Sequence, residues 1–86
     1  MKSVLSKRFR ERYKRLPFKV QRLAHKNYQL WKENPSHRSL QFKCVDVEMP
    51  IYSARIGLSY RVLGIMKEDV LIWYWIGTHS EYDKII

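Results

Sequence analysis

The sequence predicts an α+β fold: an N-terminal helical hairpin packed on a three- to four-stranded antiparallel sheet. Apolar residues recur at helical spacing up to Trp31, and the period falls to two after Ser39. Helix-like and strand-like stretches are also segregated along the chain, which favours two layers over alternating βαβ units.

Leu5, Phe9, Tyr13 and Leu16 mark one face of a first helix over about residues 6–16, with Lys7, Arg8, Arg10, Arg12, Lys14 and Arg15 on the others. Ser6 is its N-cap. Leu16-Pro17 ends it, because proline disfavours helix at the residue before it and suits the first turn of the next. Val20, Leu23, Ala24, Tyr28 and Trp31 carry a second helix over about 17–33, which stops at the turn signal Asn34-Pro35.

Leu40, Phe42 and Cys44 alternate with Gln41 and Lys43 and read as the first strand. Val45–Pro50 reads as a loop or an irregular edge, since Pro50 has no N–H to give a central ladder. Ile51–Ile56, Tyr60–Lys67 and Val70–Ile76 are the remaining strands, the first two joined by Gly57-Leu58-Ser59. Glu68-Asp69 has the length of a tight hairpin turn but neither the Gly nor the Asn that supplies positive φ. Gly77 reads as the end of the sheet and Thr78–Ile86 as a tail. Unbroken alternation puts Leu71, Trp73 and Trp75 on one face, and Val70, Ile72, Tyr74 and Ile76 on the other. The helices cover one face of the sheet and leave the other free for a site.

At 86 residues the chain is expected to be one domain, 1–86, or a fragment, and is too short for a multi-domain enzyme. A chain of this size buries only roughly 60–65% of its unfolded surface. The single Cys44 excludes an internal disulfide, and His25, His37 and His79 lack metal-site spacing, so no metal or cofactor is expected. The opening residues lack a signal-like apolar stretch, and no run approaches the ~20 residues that span a bilayer. A cytoplasmic protein without a membrane partner is the expectation. The net charge of +9 is unevenly placed: residues 1–43 carry +11 and residues 44–86 carry −2. So basic a half attracts polyanions. Its apolar stripe is narrow, better suited to packing on a sheet than to lying in a membrane surface.

Ser53 and Arg55 share a face of their strand, and Arg61 follows across the 57–59 turn, close enough for a cross-strand pair. His79 and Tyr82 come just after the last strand. Together they are the ingredients of RNA cleavage without a metal: histidine to move the 2′-hydroxyl proton, arginine forks for the phosphate, and tyrosine to stack a base or hold an oxygen. Taken singly, each has a plainer reading. His79 can be a loop histidine, Arg55 and Arg61 can pair with Glu48 or Glu81, and Trp73 and Trp75 can be core. His25 and His37 carry no role.

Phe9-Arg-Glu-Arg-Tyr-Lys-Arg-Leu-Pro17, Glu33-Asn-Pro-Ser-His37, Leu40-Gln-Phe-Lys43, Tyr52-Ser-Ala-Arg-Ile56, Tyr60-Arg-Val62 and Trp75-Ile-Gly-Thr-His-Ser-Glu-Tyr-Asp83 occur in an order that resembles the RelE/ParE toxin superfamily of type II toxin–antitoxin modules. The resemblance implies a RelE-like fold and a cognate antitoxin as partner. It also implies one of two activities, cleavage of mRNA on the ribosome without a metal or inhibition of DNA gyrase; a non-catalytic relative that binds nucleic acid or antitoxin is the remaining alternative. For the ribonuclease, the resemblance assigns Arg55, Arg61, His79 and Tyr82 to catalysis. It assigns Lys43, Ser53, Arg55 and Arg61 to RNA binding. His79 and Tyr82 favour the ribonuclease. The chain departs from the family pattern at Ser53, where the best-known ribonucleases carry lysine. It also departs at the N-terminus, where only Ser3-Val4-Leu5 could supply the family's first strand. Trp31, Tyr28 and Trp73, if exposed, would anchor an acidic antitoxin segment.

Overall fold

In the computed structural model, which describes residues 1–86, the chain runs β1 (Lys2–Leu5), α1 (Lys7–Lys14), α2 (Phe18–Glu33), a 3-10 turn (Arg38–Leu40), β2 (Lys43–Asp46), β3 (Ile51–Ile56), β4 (Tyr60–Lys67), β5 (Val70–Thr78) and α3 (His79–Ile85). The two expected helices form, α1 capped by Ser6, whose Oγ accepts from the Phe9 N–H at 3.1 Å. No helix is long and apolar enough to cross a membrane.

The sheet has five strands in the order β1-β5-β4-β3-β2. All pairs are antiparallel except β1 with β5, which is parallel. It is therefore mixed and larger than the sequence predicts. Lys2–Leu5 is too short to show a period, and only its pairing with Val70–Trp73 defines it. The first predicted strand also moves. Leu40 ends the 3-10 turn, Gln41 adopts a left-handed conformation (φ 46°), and β2 begins at Lys43 and runs to Asp46 as an irregular edge strand, one of the two readings open for that stretch. Leu40 keeps its apolar role, fully buried beneath the sheet edge.

The last strand departs most from simple alternation. Leu63 pairs with Trp75 but Gly64 pairs with Trp73, so Tyr74 is the extra residue of a β-bulge. The bulge reverses the side-chain parity of everything after it. Leu71 and Trp73 point into the core beneath the helices, and Ile76 joins them there. Trp75 moves to the opposite face, contrary to the expected grouping with Leu71 and Trp73. Gly77 sits within β5 and does not end it; a Cβ there would come within 2.6 Å of the Trp75 ring.

Phe9, Ala24 and Trp31 from the helices meet Ala54, Ile56, Val62, Leu71, Trp73 and Ile76 from the sheet in one core. Trp31 stands edge-on to Trp73, with ring centroids 5.3 Å apart. Both indoles are buried, at the floor of the space between the helices and the sheet. Tyr28 is half-buried and bonded through its hydroxyl to Ser3 Oγ at 2.7 Å.

After Leu5 the chain leaves the sheet, and the edge of β5 loses its strand partner. Arg12 takes over: its Nε donates to the Ile76 carbonyl at 2.7 Å, and its guanidinium lies 5.0 Å from the Trp75 ring. Its Nη2 is 3.7 Å from Glu81 Oε2, linking α1 to α3.

The hairpin between β4 and β5 places Glu68 at φ 50° and Asp69 at φ 67°. Both are left-handed, a conformation that costs residues with a Cβ roughly 1 kcal/mol each. The double replacement Glu68→Asn with Asp69→Gly should therefore raise stability by about 1 kcal/mol, with a melting temperature some 4–8 °C higher. Thermal and urea denaturation check this; an unchanged midpoint would mean the turn carries no strain.

Candidate functional site

The site forms where β5 hands over to α3. Thr78 Oγ1 accepts from the Glu81 N–H at 3.1 Å, and Glu81 Oε1 accepts from the Thr78 N–H at 2.8 Å. This reciprocal capping box starts a helix where the sequence reading expected a tail. The His79 N–H then donates to the Ser59 carbonyl at 2.7 Å, tying the start of α3 to the β3–β4 turn. Tyr82, one turn on, is buried.

Arg61 is the hub. In the ladder it shares a face with Leu63, the face opposite Val62 and the main core, and α3 packs there. Its guanidinium lies 5.1 Å from the Tyr82 ring, and the His79 and Tyr82 rings stack with centroids 6.3 Å apart. Arg61 Nε donates to His79 Nδ1 at 3.2 Å, and Arg61 Nη2 donates to Gln41 Oε1 at 3.3 Å. The third nitrogen, Nη1, is enclosed without a partner, an unmet donor at the centre of the cluster. His79 Nε2 lies 3.5 Å from Asp83 Oδ2.

Arg61, His79 and Tyr82 thus come into mutual contact. Arg55 stands directly opposite Arg61 in the ladder, but its Nε donates to the Gly57 carbonyl at 2.8 Å, within its own turn. It lines a groove with Leu23, Asn27 and Ser39 beside α2. Lys43 is exposed on β2 opposite Ser53 and makes no bond to the cluster. Ser53 is completely buried, its Oγ unpartnered. Neither arginine pairs with Glu48 or Glu81; Glu81 faces Arg12 instead.

Gln41, Asp83 and the Arg12–Glu81 pair escaped the sequence reading. Thr78-x-x-Glu81 was the available signal, since a capping box there makes 79–85 a helix and sets His79 and Asp83 on one face at i, i+4. Nothing local marks Gln41.

Two ionisable groups depart from their ordinary behaviour, Glu81 at the site and Tyr74 at the bulge of β5. Hydrogen bonding from the Thr78 N–H, helped by the Thr78 hydroxyl and by Arg12 and Lys84, holds the Glu81 carboxyl below its usual value. Burial, and then the charge of Asp46, pushes the Tyr74 phenol up.

Residues 18–84 match the family described as the ParE-like toxin domain. The match spans most of the chain, which belongs to that family and is a toxin of the RelE/ParE superfamily. Solved structures share the fold. The YoeB/ParE toxin from Agrobacterium tumefaciens superposes with a TM-score of 0.69 at 16% identity, covering 92% of this chain and 99% of that one. The archaeal RelE–RelB complex from Pyrococcus horikoshii OT3 gives 0.66 at 17% identity over 90% and 92%. A copper-bound mutant toxin from Helicobacter pylori gives 0.62 at 23% identity over 94% and 97%. A comparison with curated proteins returns no match.

Because Glu81 is more acidic in the folded protein, its contribution is complete above the ordinary glutamate value of 4.5 and is lost as pH falls below it through the lowered value. Hydrogen exchange along α3 should accelerate, relative to the sheet, over that acid range. Glu81→Gln should remove the pH dependence. Exchange in α3 that stays independent of pH would contradict the role of the cap.

Proposed function

We propose that this toxin cleaves mRNA on the ribosome in the cytoplasm, without a metal, through Arg61 and His79. The observation that carries the reading is the 3.2 Å contact between Arg61 Nε and His79 Nδ1, which holds a permanent cation and an imidazole within the span of one phosphodiester. The 2′-oxygen attacks phosphorus as its proton passes to His79. The bond to the 5′-oxygen breaks, that oxygen takes a proton from water, and a 2′,3′-cyclic phosphate remains. Arg61 stabilises the charge on the phosphorane with its planar fork. Tyr82 backs both side chains, and Lys43 and Arg55 supply further positive charge along the RNA.

A cognate antitoxin is the proposed partner. The solved archaeal neighbour of this fold is a RelE–RelB complex. Here a groove of about 380 Å³ opens between the two long helices and the sheet, lined by Leu5, Phe9, Tyr13 and Tyr28 and edged by Arg10 and Lys14. An amphipathic segment with acidic flanks fits that combination of apolar floor and basic rim.

A specific observation favours gyrase inhibition as the second reading. Arg55 is bonded to its own turn, and Ser53 stands where a lysine would add charge, so the cluster holds a single arginine.

Mapping of mRNA 5′ ends within minutes of tightly controlled expression separates the two. Codon-phased cuts are expected, falling about 10²–10³-fold in His79→Ala and in Arg61→Ala while circular dichroism stays unchanged. Growth arrest with intact mRNA and an induced DNA-damage response would replace this reading by the second. In that case charge reversal at the exposed Arg8 and Arg15 should matter more than loss of His79.

A further inference from the structure

We propose that Asp83 is a positioning residue that fixes the tautomer of His79, leaving Nδ1 as the nitrogen that accepts the substrate proton. The proposal rests on the ribonuclease reading for its catalytic consequence, and on geometry alone for the tautomer.

Both ring nitrogens of His79 have a neighbour, and both neighbours demand the same proton placement. Arg61 Nε faces Nδ1 at 3.2 Å. A guanidinium has only donors and keeps its protons, so Nδ1 must present a lone pair. The neutral ring then carries its hydrogen on Nε2, which faces Asp83 Oδ2 at 3.5 Å. An ionised carboxylate only accepts, so it stabilises that form and opposes the other. Spacing of i, i+4 on α3 sets the two side chains on one face, and the helix is held by the Thr78–Glu81 cap and by buried Tyr82. At 3.5 Å the contact between these two exposed side chains is electrostatic and not yet a formed hydrogen bond.

The groups facing His79 come from each element around it: Arg61 from β4, Tyr82 and Asp83 from α3, and the Ser59 carbonyl from the β3–β4 turn, which takes the backbone N–H. Glu81 points away, onto Thr78 and Arg12. Asp83 is thus the sole carboxylate on the ring. When a phosphate draws the Arg61 fork toward itself, the Nδ1 lone pair is released beside the 2′-hydroxyl. Once Nδ1 takes that proton, the imidazolium is stabilised through Nε2 by Asp83, the logic by which a carboxylate orients a catalytic histidine. With the opposite tautomer, Nδ1–H would oppose the Arg61 N–H and offer no lone pair.

Long-range ¹⁵N–¹H NMR of the full chain tests the tautomer directly. The wild-type ring should show the shifts of an unprotonated Nδ1 and a protonated Nε2. In Asp83→Ala the two shifts should converge as the other tautomer gains population, while Asp83→Glu should largely restore them. On ribosome-bound mRNA, Asp83→Ala should lower kcat about tenfold with little change in KM, the lower end of what outer partners of a functional histidine contribute at metal sites. A wild-type ring protonated at Nδ1, shifts that do not move in Asp83→Ala, or an unchanged kcat in a chain that cleaves would each overturn the assignment. A wild-type chain that leaves the mRNA intact yet shows the Asp83-dependent tautomer would overturn the ribonuclease reading and leave the tautomer lock standing.

Discussion

The single extra residue in β5, Tyr74, is the constraint on which the rest of the molecule depends. Without the bulge, Trp75 would follow Leu71 and Trp73 into a core already filled by the Trp31–Trp73 pair, and Ile76 would be turned out of it. With the bulge, the strand sends large side chains inward on both halves and frees its other face near the C-terminal end. That face receives Trp75, which folds over Gly77, and beside it Arg61 and Tyr82. The same strand ends at Thr78, whose hydroxyl starts α3. The parity of the strand's second half and the face on which Trp75 lies are thus consequences of one local irregularity, in keeping with the tendency of bulges to re-aim side chains beside functional sites.

The arginines divide between architecture and surface. Arg12 lies in a helix dense with cations and looks interchangeable with its neighbours, yet it bonds the open carbonyl of β5, covers Trp75 and meets Glu81. Its planar fork serves three partners at once, which a lysine ammonium could not reproduce. Arg61 does the same at the other side of α3, with His79, Gln41 and Tyr82. The helix is therefore clasped by two guanidiniums, one from α1 and one from β4. Most other cations of the basic N-terminal half remain on the surface. A toxin fold this small, with a thin core, orders its terminal helix by polar contacts as much as by burial.

One fold hosts unrelated activities, so membership of the ParE-like toxin family leaves chemistry to the side chains. Here the distinguishing set is short: a guanidinium, an imidazole and a phenol in contact, with a carboxylate behind the imidazole. Arg55 was legible in the sequence as the cross-strand partner of Arg61, and the ladder does pair them. Its guanidinium nevertheless turns to Gly57, because the last residues of β3 lie beyond β2 and a long side chain there can curl back on its own turn. Ser53, an ordinary polar residue in the sequence, is wholly buried, with β2 and β4 paired on either side of its strand. Strand register is legible from alternation, whereas the direction of a flexible side chain is set by what lies beside it.

The sequence by itself determined the α+β class, both long helices with the Ser6 cap, the two later hairpins, and the register that sets Arg55 opposite Arg61. These follow from short-range physics: helical and strand periods, caps and turn lengths act over a few residues and leave their mark in order along the chain. Only the tertiary structure decided the parallel strand at Lys2–Leu5, the bulge at Tyr74, the burial of Trp31 and Trp73, and the meeting of Gln41, Arg61, His79 and Asp83. Each of these is a choice among local arrangements of similar energy. The choice is made by contacts between residues tens of positions apart, which no window of the sequence contains.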